Sequence, residues 1–112
     1  MTIIWTENID AILSRGVSLE SIRVNNWALT RQQALDVLDK FTALGIAVLG
    51  GDVYNIKDEV IKASYDNWYC NPLVNESKDV FIQRSLVYAR NYICGYSDSE
   101  ADTVRFVLVP KL

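Results

Sequence analysis

The sequence lacks histidine and contains few of the other residues on which enzymes and metal sites depend. It has no histidine, two cysteines, two prolines and one methionine in 112 residues. Without histidine the chain has neither the most common general base nor the most common zinc ligand, and a Ser–His–acid or Cys–His catalytic arrangement is impossible. It also has no glycine-rich phosphate loop of P-loop or Rossmann spacing. These absences predict a protein that is not an enzyme and has no cofactor or metal.

Long apolar runs and clusters of basic residues are missing as well. A membrane-spanning helix needs roughly 20 consecutive apolar residues, and no stretch approaches that length. A nucleic-acid binder needs grouped lysine and arginine, whereas this chain has 11 basic and 14 acidic residues and a net charge of −3. We therefore expect no membrane and no nucleic-acid partner, and a negative surface that suits a basic protein.

The compartment is predicted from the first residues and the two cysteines. Residues 1–10 include two acids and no basic residue, unlike a secretory signal. Cys70 and Cys94 match no zinc-site spacing. We expect a cytoplasmic protein in which both are reduced thiols, with one disulfide as the alternative.

The remaining composition is that of an ordinary globular protein, with 50% hydrophobic and 22% charged residues. A chain of this length suits one domain over 1–112 with one hydrophobic core. Capping residues and apolar spacing predict three helices, which with their caps span Thr6–Gly16, Thr30–Gly45 and Ser77–Tyr96. The second is the clearest, because Thr30 and Gln33 form a capping-box pattern.

Three β-prone segments lie between and after these helices. We predict a hairpin or a bulged strand over Ile46–Ile56, broken at Gly50-Gly51. We predict a strand pair or an extended segment over Val60–Cys70. Thr103–Val109 predicts a last strand with a central, two-sided position. The order of elements predicts an α+β fold in which a small, mostly antiparallel sheet packs against about three helices.

Paired glycines after a buried strand form the first motif, Gly50-Gly51-Asp52-Val53-Tyr54. They indicate a backbone conformation that a Cβ would block, or the close approach of another group. The structural explanation is a hairpin turn or bulge. The functional explanation is that the turn presents Asp52 and Tyr54 to a partner.

Aromatic residues dominate the second motif, Ser64 to Cys70. On a regular strand Tyr65, Asn67 and Tyr69 would face one way, and the residues between them the other. If Trp68 and Cys70 enter the core, both tyrosines stay at the surface. Tyrosine is a favoured anchor of protein interfaces.

Four acids, Asp52, Asp58, Glu59 and Asp66, lie within fifteen residues around these motifs. Most surface acids are simply solvated, but acids beside exposed tyrosines also suit a basic target. Asp52 and Asp66 could alternatively pair as the carboxylates of a small hydrolase or ligand-binding site. That alternative predicts a concave pocket that holds both.

Together, Trp27-Ala28-Leu29-Thr30 and the two motifs resemble immunity protein family 40, and the resemblance extends from Trp5 to Val109. The resemblance implies a bacterial protein of polymorphic-toxin and contact-dependent growth inhibition systems. Its partner would be a cognate toxin C-terminal domain, often a basic nuclease, with the toxin active site or a nearby surface occluded. An adaptor subunit unrelated to toxins is a further alternative. The predicted partner-binding residues are Asp52, Tyr54, Asp58, Glu59, Tyr65, Asp66 and Tyr69.

Overall fold

The computed structural model describes the backbone of residues 2–97 and 102–111 and the side chains of residues 8–97 and 102–111. Within these residues, three α-helices and five strands confirm the α+β class. The elements are α1 Thr2–Leu13, β1 Val17–Ser18, a 3₁₀ helix Glu20–Ile22, β2 Trp27–Ala28, α2 Arg31–Leu44, β3 Val48–Lys57, β4 Val60–Tyr69, α3 Lys78–Gly95 and β5 Val104–Pro110. None of the described helices is long and apolar enough to cross a membrane.

The predicted capping box of α2 is confirmed. The Gln33 backbone N–H donates to the Thr30 hydroxyl at 3.1 Å, and the Thr30 N–H donates to the Gln33 side chain at 2.9 Å. Gly45 ends the helix in the left-handed region, with φ 71°. The start predicted for α1 is wrong, because the helix begins at Thr2 and Thr6 lies inside it. The apolar spacing continues from Leu13 back to Trp5, whose side chain lies outside the described residues.

The larger sheet has the antiparallel strand order β4-β3-β5, and β1 pairs with β2 in a separate two-stranded sheet. β3 is therefore the central strand, and the central position predicted for β5 is wrong. The prediction of two-sided burial for β5 is correct, since Phe106, Val107 and Leu108 are all buried. A short bridge explains part of this burial: Leu29, after β2, pairs with Phe106 through two backbone hydrogen bonds of 2.7 and 2.8 Å.

β3 runs without a break through Gly50-Gly51, so the bulged-strand alternative is correct and the predicted interruption is wrong. The register against β5 shifts between Val48 and Gly50. At Gly51 an added Cβ would overlap the Trp68 ring and the Val107 carbonyl. Glycine is thus needed here because the Trp68 indole lies across the strand.

The larger sheet has two faces with different cover. One face packs against α2 and α3 to form the main core, and we call it the helix face; its strand residues include Val53, Trp68, Val104, Phe106 and Leu108. The opposite face, which we call the outer face, carries the alternate residues Asp52, Tyr54, Asn67, Tyr69 and Val107. The segment from β1 to β2 covers part of the outer face, where Leu19 and Ala28 pack with Val107. The rest of that face is open.

Candidate functional site

Two of the predicted partner-binding residues lie together at the open end of the outer face. Asp52 pairs across the strands with Asn67, and Gly50 pairs with Tyr69, so Asp52 and Tyr69 are diagonal neighbours. Tyr69 is 72% exposed. Its neighbour Trp68 points to the helix face and is buried against Tyr92, with ring centroids 4.5 Å apart. The alternation predicted for Asn67 to Cys70 is therefore confirmed.

Tyr54 follows Asp52 on the outer face but is half-buried, in contact with the small apolar cluster under the β1–β2 segment. Burial raises the pKa of the Tyr54 hydroxyl, and the nearby Asp52 carboxylate raises it further. Tyr54 is thus partly a core residue, and it connects the open end of the face to the covered end.

Tyr65 reaches the surface by a different route from the one predicted. Between the pairs Asp52–Asn67 and Tyr54–Ala63, β4 has more residues than β3, and the register is irregular. Tyr65 occupies this bulge in the left-handed region, with φ 69°, and is 87% exposed. The Ser64 hydroxyl donates to the Val53 carbonyl at 2.7 Å and holds the bulge in place. This bulge, and not the regular alternation of a strand, brings Tyr65 to the surface.

Asp66 lies apart from Asp52, on the helix side of the sheet. Its Oδ2 accepts a 2.5 Å hydrogen bond from the hydroxyl of Tyr96, whose ring packs edge-on against Phe106 at 5.6 Å. That hydrogen bond, with burial, raises the pKa of Tyr96 to about 12. The two acids proposed for a hydrolase therefore occupy opposite faces and do not line one pocket.

Asp58 and Glu59 form the two-residue turn of the β3–β4 hairpin. Both have positive φ, 51° and 67°, and both are exposed. With a rise of about 3.3 Å per residue, the turn lies about 23 Å along β3 from Gly50. The predicted set therefore divides into residues of the outer face and the β4 bulge, a pair at the hairpin tip, and Asp66 on the helix side of the sheet.

A cavity of about 180 Å³ lies beside Asp52 at the open end of the outer face. Gly50 is one of the residues that line it, and the cross-strand neighbours of Gly50 on the two adjoining strands are Tyr69 and Val109. We call it the Gly50 cavity, and its lining includes Leu49, Gly50, Asp52, Tyr69, Asn71 and Val109.

Sequence reasoning missed the loop after β4, which adjoins this cavity. Arg84 from α3 donates to Glu76 at 2.6 and 2.8 Å and to the carbonyl of Asn71 at 2.6 Å. The Arg84 hydrogen bonds, and next the one from the Leu73 backbone N–H, lower the pKa of Glu76 to about 2. The loop presents Leu73 and Val74 at 61% and 91% exposure. An arginine within an otherwise apolar helix face was the available signal in the sequence.

The remaining chemistry of the described residues is limited. They contain no group of three or more acids or cysteines able to hold a metal ion. Cys70 and Cys94 are free thiols, the first buried and the second exposed. What the open end of the outer face offers is a carboxylate, an exposed tyrosine ring and a small cavity, an arrangement suited to contact with another molecule.

Comparison with known proteins gives one match. The family described as Immunity protein 40 matches residues 18–110, from β1 to β5, and so includes both motifs and the Gly50 cavity. Neither the curated proteins nor the solved structures contain a match to this chain. Because the match covers most of the sequence, the chain belongs to the immunity protein 40 family.

Proposed function

We propose that this protein is the immunity partner of a bacterial toxin, and that it acts in the cytoplasm by binding the toxin's C-terminal domain. The observation that carries the proposal is the family match over residues 18–110. Family membership suggests an immunity protein of a toxin–immunity system. In such a role the protein works by complex formation, not by catalysis.

The open end of the outer face is the surface we propose for toxin binding. Tyr69 and Tyr65 expose 72% and 87% of their surface, and exposed tyrosines of this kind are enriched at interface hot spots. Asp52, on β3, is the diagonal cross-strand neighbour of Tyr69 and adds an exposed carboxylate to this surface. A tyrosine side chain has only two χ angles, so each ring loses little conformational entropy on binding.

The charge of the chain supports a basic toxin, and a nuclease is the class we propose. A net charge of −3 would speed encounter with a cationic surface. A nuclease must itself hold phosphates with basic residues. An acidic immunity protein seated on those residues would block substrate at the same time, which is why we propose occlusion of the active site or of a nearby surface.

Co-expression with the toxin domain encoded next to the gene tests the function. We expect the chain to restore growth of cells that express the toxin domain, to co-purify with it one to one, and to inhibit nuclease activity in vitro. Absence of both protection and a complex would reject the function. Protection and a complex with a toxin of another activity would reject only the nuclease class.

A matched pair of tyrosine variants tests the surface. Tyr69→Ala removes an exposed ring at the open end of the outer face, and Tyr88→Ala removes a 46% exposed ring on α3. We expect Tyr69→Ala to weaken toxin binding at least about tenfold, as for a hot-spot tyrosine, and Tyr88→Ala to leave it unchanged, by calorimetry. A larger loss of toxin binding in Tyr88→Ala than in Tyr69→Ala would place the interface on α3 instead.

A further inference from the structure

We infer that the Gly50 cavity is a socket for one cationic side chain of the partner, with arginine preferred. The inference rests on the proposed function and names the chemistry of its central contact. Three observations carry it: the size of the cavity, the unpaired charge at its rim, and the constrained backbone of two segments that line it.

The size of the cavity suits a single side chain. Pockets for small-molecule ligands occupy about 300–1,000 Å³, and the Gly50 cavity has about 180 Å³. It is also open at the surface of the sheet, between Tyr69 and Val109. A side chain that projects from a partner can enter this space without any rearrangement of the strands.

The groups around the cavity suit a cation. Within the described part of the chain, the Asp52 carboxylate makes no hydrogen bond and no ion pair, and it is exposed. Tyr69 lines the cavity, and a planar guanidinium can stack on a tyrosine ring. Leu49 and Val109 add apolar surface for the methylene stem. The nearby Arg84 is paired with Glu76, so its charge is already matched.

Two backbone segments that line the cavity, at Gly50 and at Asn71, are constrained before binding. Gly50 adopts φ 156°, and an added Cβ would overlap the Trp68 carbonyl, so this position stays without a side chain. Asn71, which also lines the cavity, has its carbonyl fixed by a hydrogen bond from Arg84 at 2.6 Å. A pre-formed site of this kind loses little entropy when it is occupied.

Arginine and its uncharged isostere provide a direct test on the chain alone. We expect N-acetyl-arginine amide to shift the amide NMR signals of Gly50, Asp52, Tyr69 and Val109, with a Kd on the order of millimolar. N-acetyl-citrulline amide has nearly the same shape without the charge, and should bind at least about fivefold more weakly. Equal binding of the two probes, shifts at another surface, or no shifts up to about 50 mM would overturn the inference.

Two matched acid variants locate the charge. Asp52→Asn should weaken arginine amide binding at least about fivefold, and Asp79→Asn, at the exposed start of α3, should leave it unchanged. In the toxin complex, Asp52→Asn should raise the Kd at least about tenfold. A toxin that binds both variants equally would overturn the socket and leave the immunity function standing. Failure of the wild-type chain to bind any toxin would instead reject the proposed function. The titration with arginine amide would then still test the socket independently.

Discussion

At the scale of single residues, the close approach of Trp68 to Gly51 makes that glycine a sensitive position in the core. An added methyl group would meet both the indole ring and the Val107 carbonyl, and the carbonyl cannot rotate away as a side chain could. Gly95, at the end of α3, has nothing within 4 Å of its ideal Cβ. The two positions therefore form a natural comparison.

We predict that Gly51→Ala lowers the free energy of unfolding by about 2 kcal/mol, because overpacking forces neighbouring atoms apart. Gly95→Ala should raise it by about 0.5 kcal/mol, since alanine restricts the unfolded chain and favours helix. Urea denaturation followed by circular dichroism measures both. A Gly51→Ala variant as stable as the wild type would show that Trp68 can move aside.

The Glu76–Arg84 pair predicts a stability change in acid. The pKa of Glu76 falls from its usual 4.5 to about 2 in the folded chain. A lowered folded pKa stabilises the protein fully above the unfolded value, and this contribution is lost as the pH falls from about 4.5 towards 2.

The stability difference between wild type and Glu76→Gln should therefore be constant above pH 5 and shrink between pH 4.5 and 2, as measured by urea denaturation at each pH. Asp79→Asn, three residues away at the exposed start of α3, is the control. A Glu76→Gln difference that does not change with pH would contradict the assignment.

At the scale of elements, local signals predicted the helices better than the strands. The Thr30–Gln33 box located α2 because both halves of the cap are within four residues of each other. On α3 the stripe of Leu86, Ala89 and Ile93 is buried, as its spacing indicates. The position of Tyr88 on the helix is also typical of a core residue, but its side chain is 46% exposed. The bulge at Tyr65 depends on Ser64 reaching the Val53 carbonyl on another strand. No local pattern specifies such a contact, so the exposed position of Tyr65 was right for the wrong reason.

The β3–β4 turn predicts a stabilising substitution. Glu59 has a positive φ that costs roughly 1 kcal/mol for a residue with a Cβ, and Asp-Gly is a favoured sequence for a two-residue turn of this type. Glu59→Gly should therefore raise the free energy of unfolding by about 1 kcal/mol in thermal or urea denaturation. Lys62→Gly, within β4, should lower it. Loss of stability in Glu59→Gly would mean that the turn is not strained.

At the scale of the whole molecule, pairings between distant segments determine the strand order and the face of each residue, which the sequence pattern could not predict. The order β4-β3-β5 and the bridge from Leu29 to Phe106 join residues far apart in the chain. The same topology separates Asp52 from Asp66, although they are fourteen positions apart and belong to paired strands. The tyrosines and acids of the two motifs indicated an interface. Only the assignment of each residue to a face of the sheet shows which of the predicted partner-binding residues lie together.

The overall negative charge predicts how fast the complex forms. The association rate with the proposed basic toxin should fall about tenfold between 50 and 500 mM salt. Salt screens the electrostatic attraction that otherwise guides the two proteins together. The double change Asp58→Asn, Glu59→Gln should lower that rate about twofold in stopped-flow measurements and leave dissociation unchanged, since both acids are at an exposed tip. Asp79→Asn serves as the single-charge control. An association rate independent of salt would exclude steering by charge.

The bridge between Leu29 and Phe106 also affects how copies of this protein can stack. A sheet that grows into a fibre must accept a new strand at each border, one after another. Here the β5 border is partly occupied by the chain's own segment, and the β4 border is interrupted by the bulge at Tyr65. Neither border therefore offers an uninterrupted row of free backbone groups to a second copy. Without such a row, edge-to-edge addition of copies is hindered and the protein is protected from growing into a fibre.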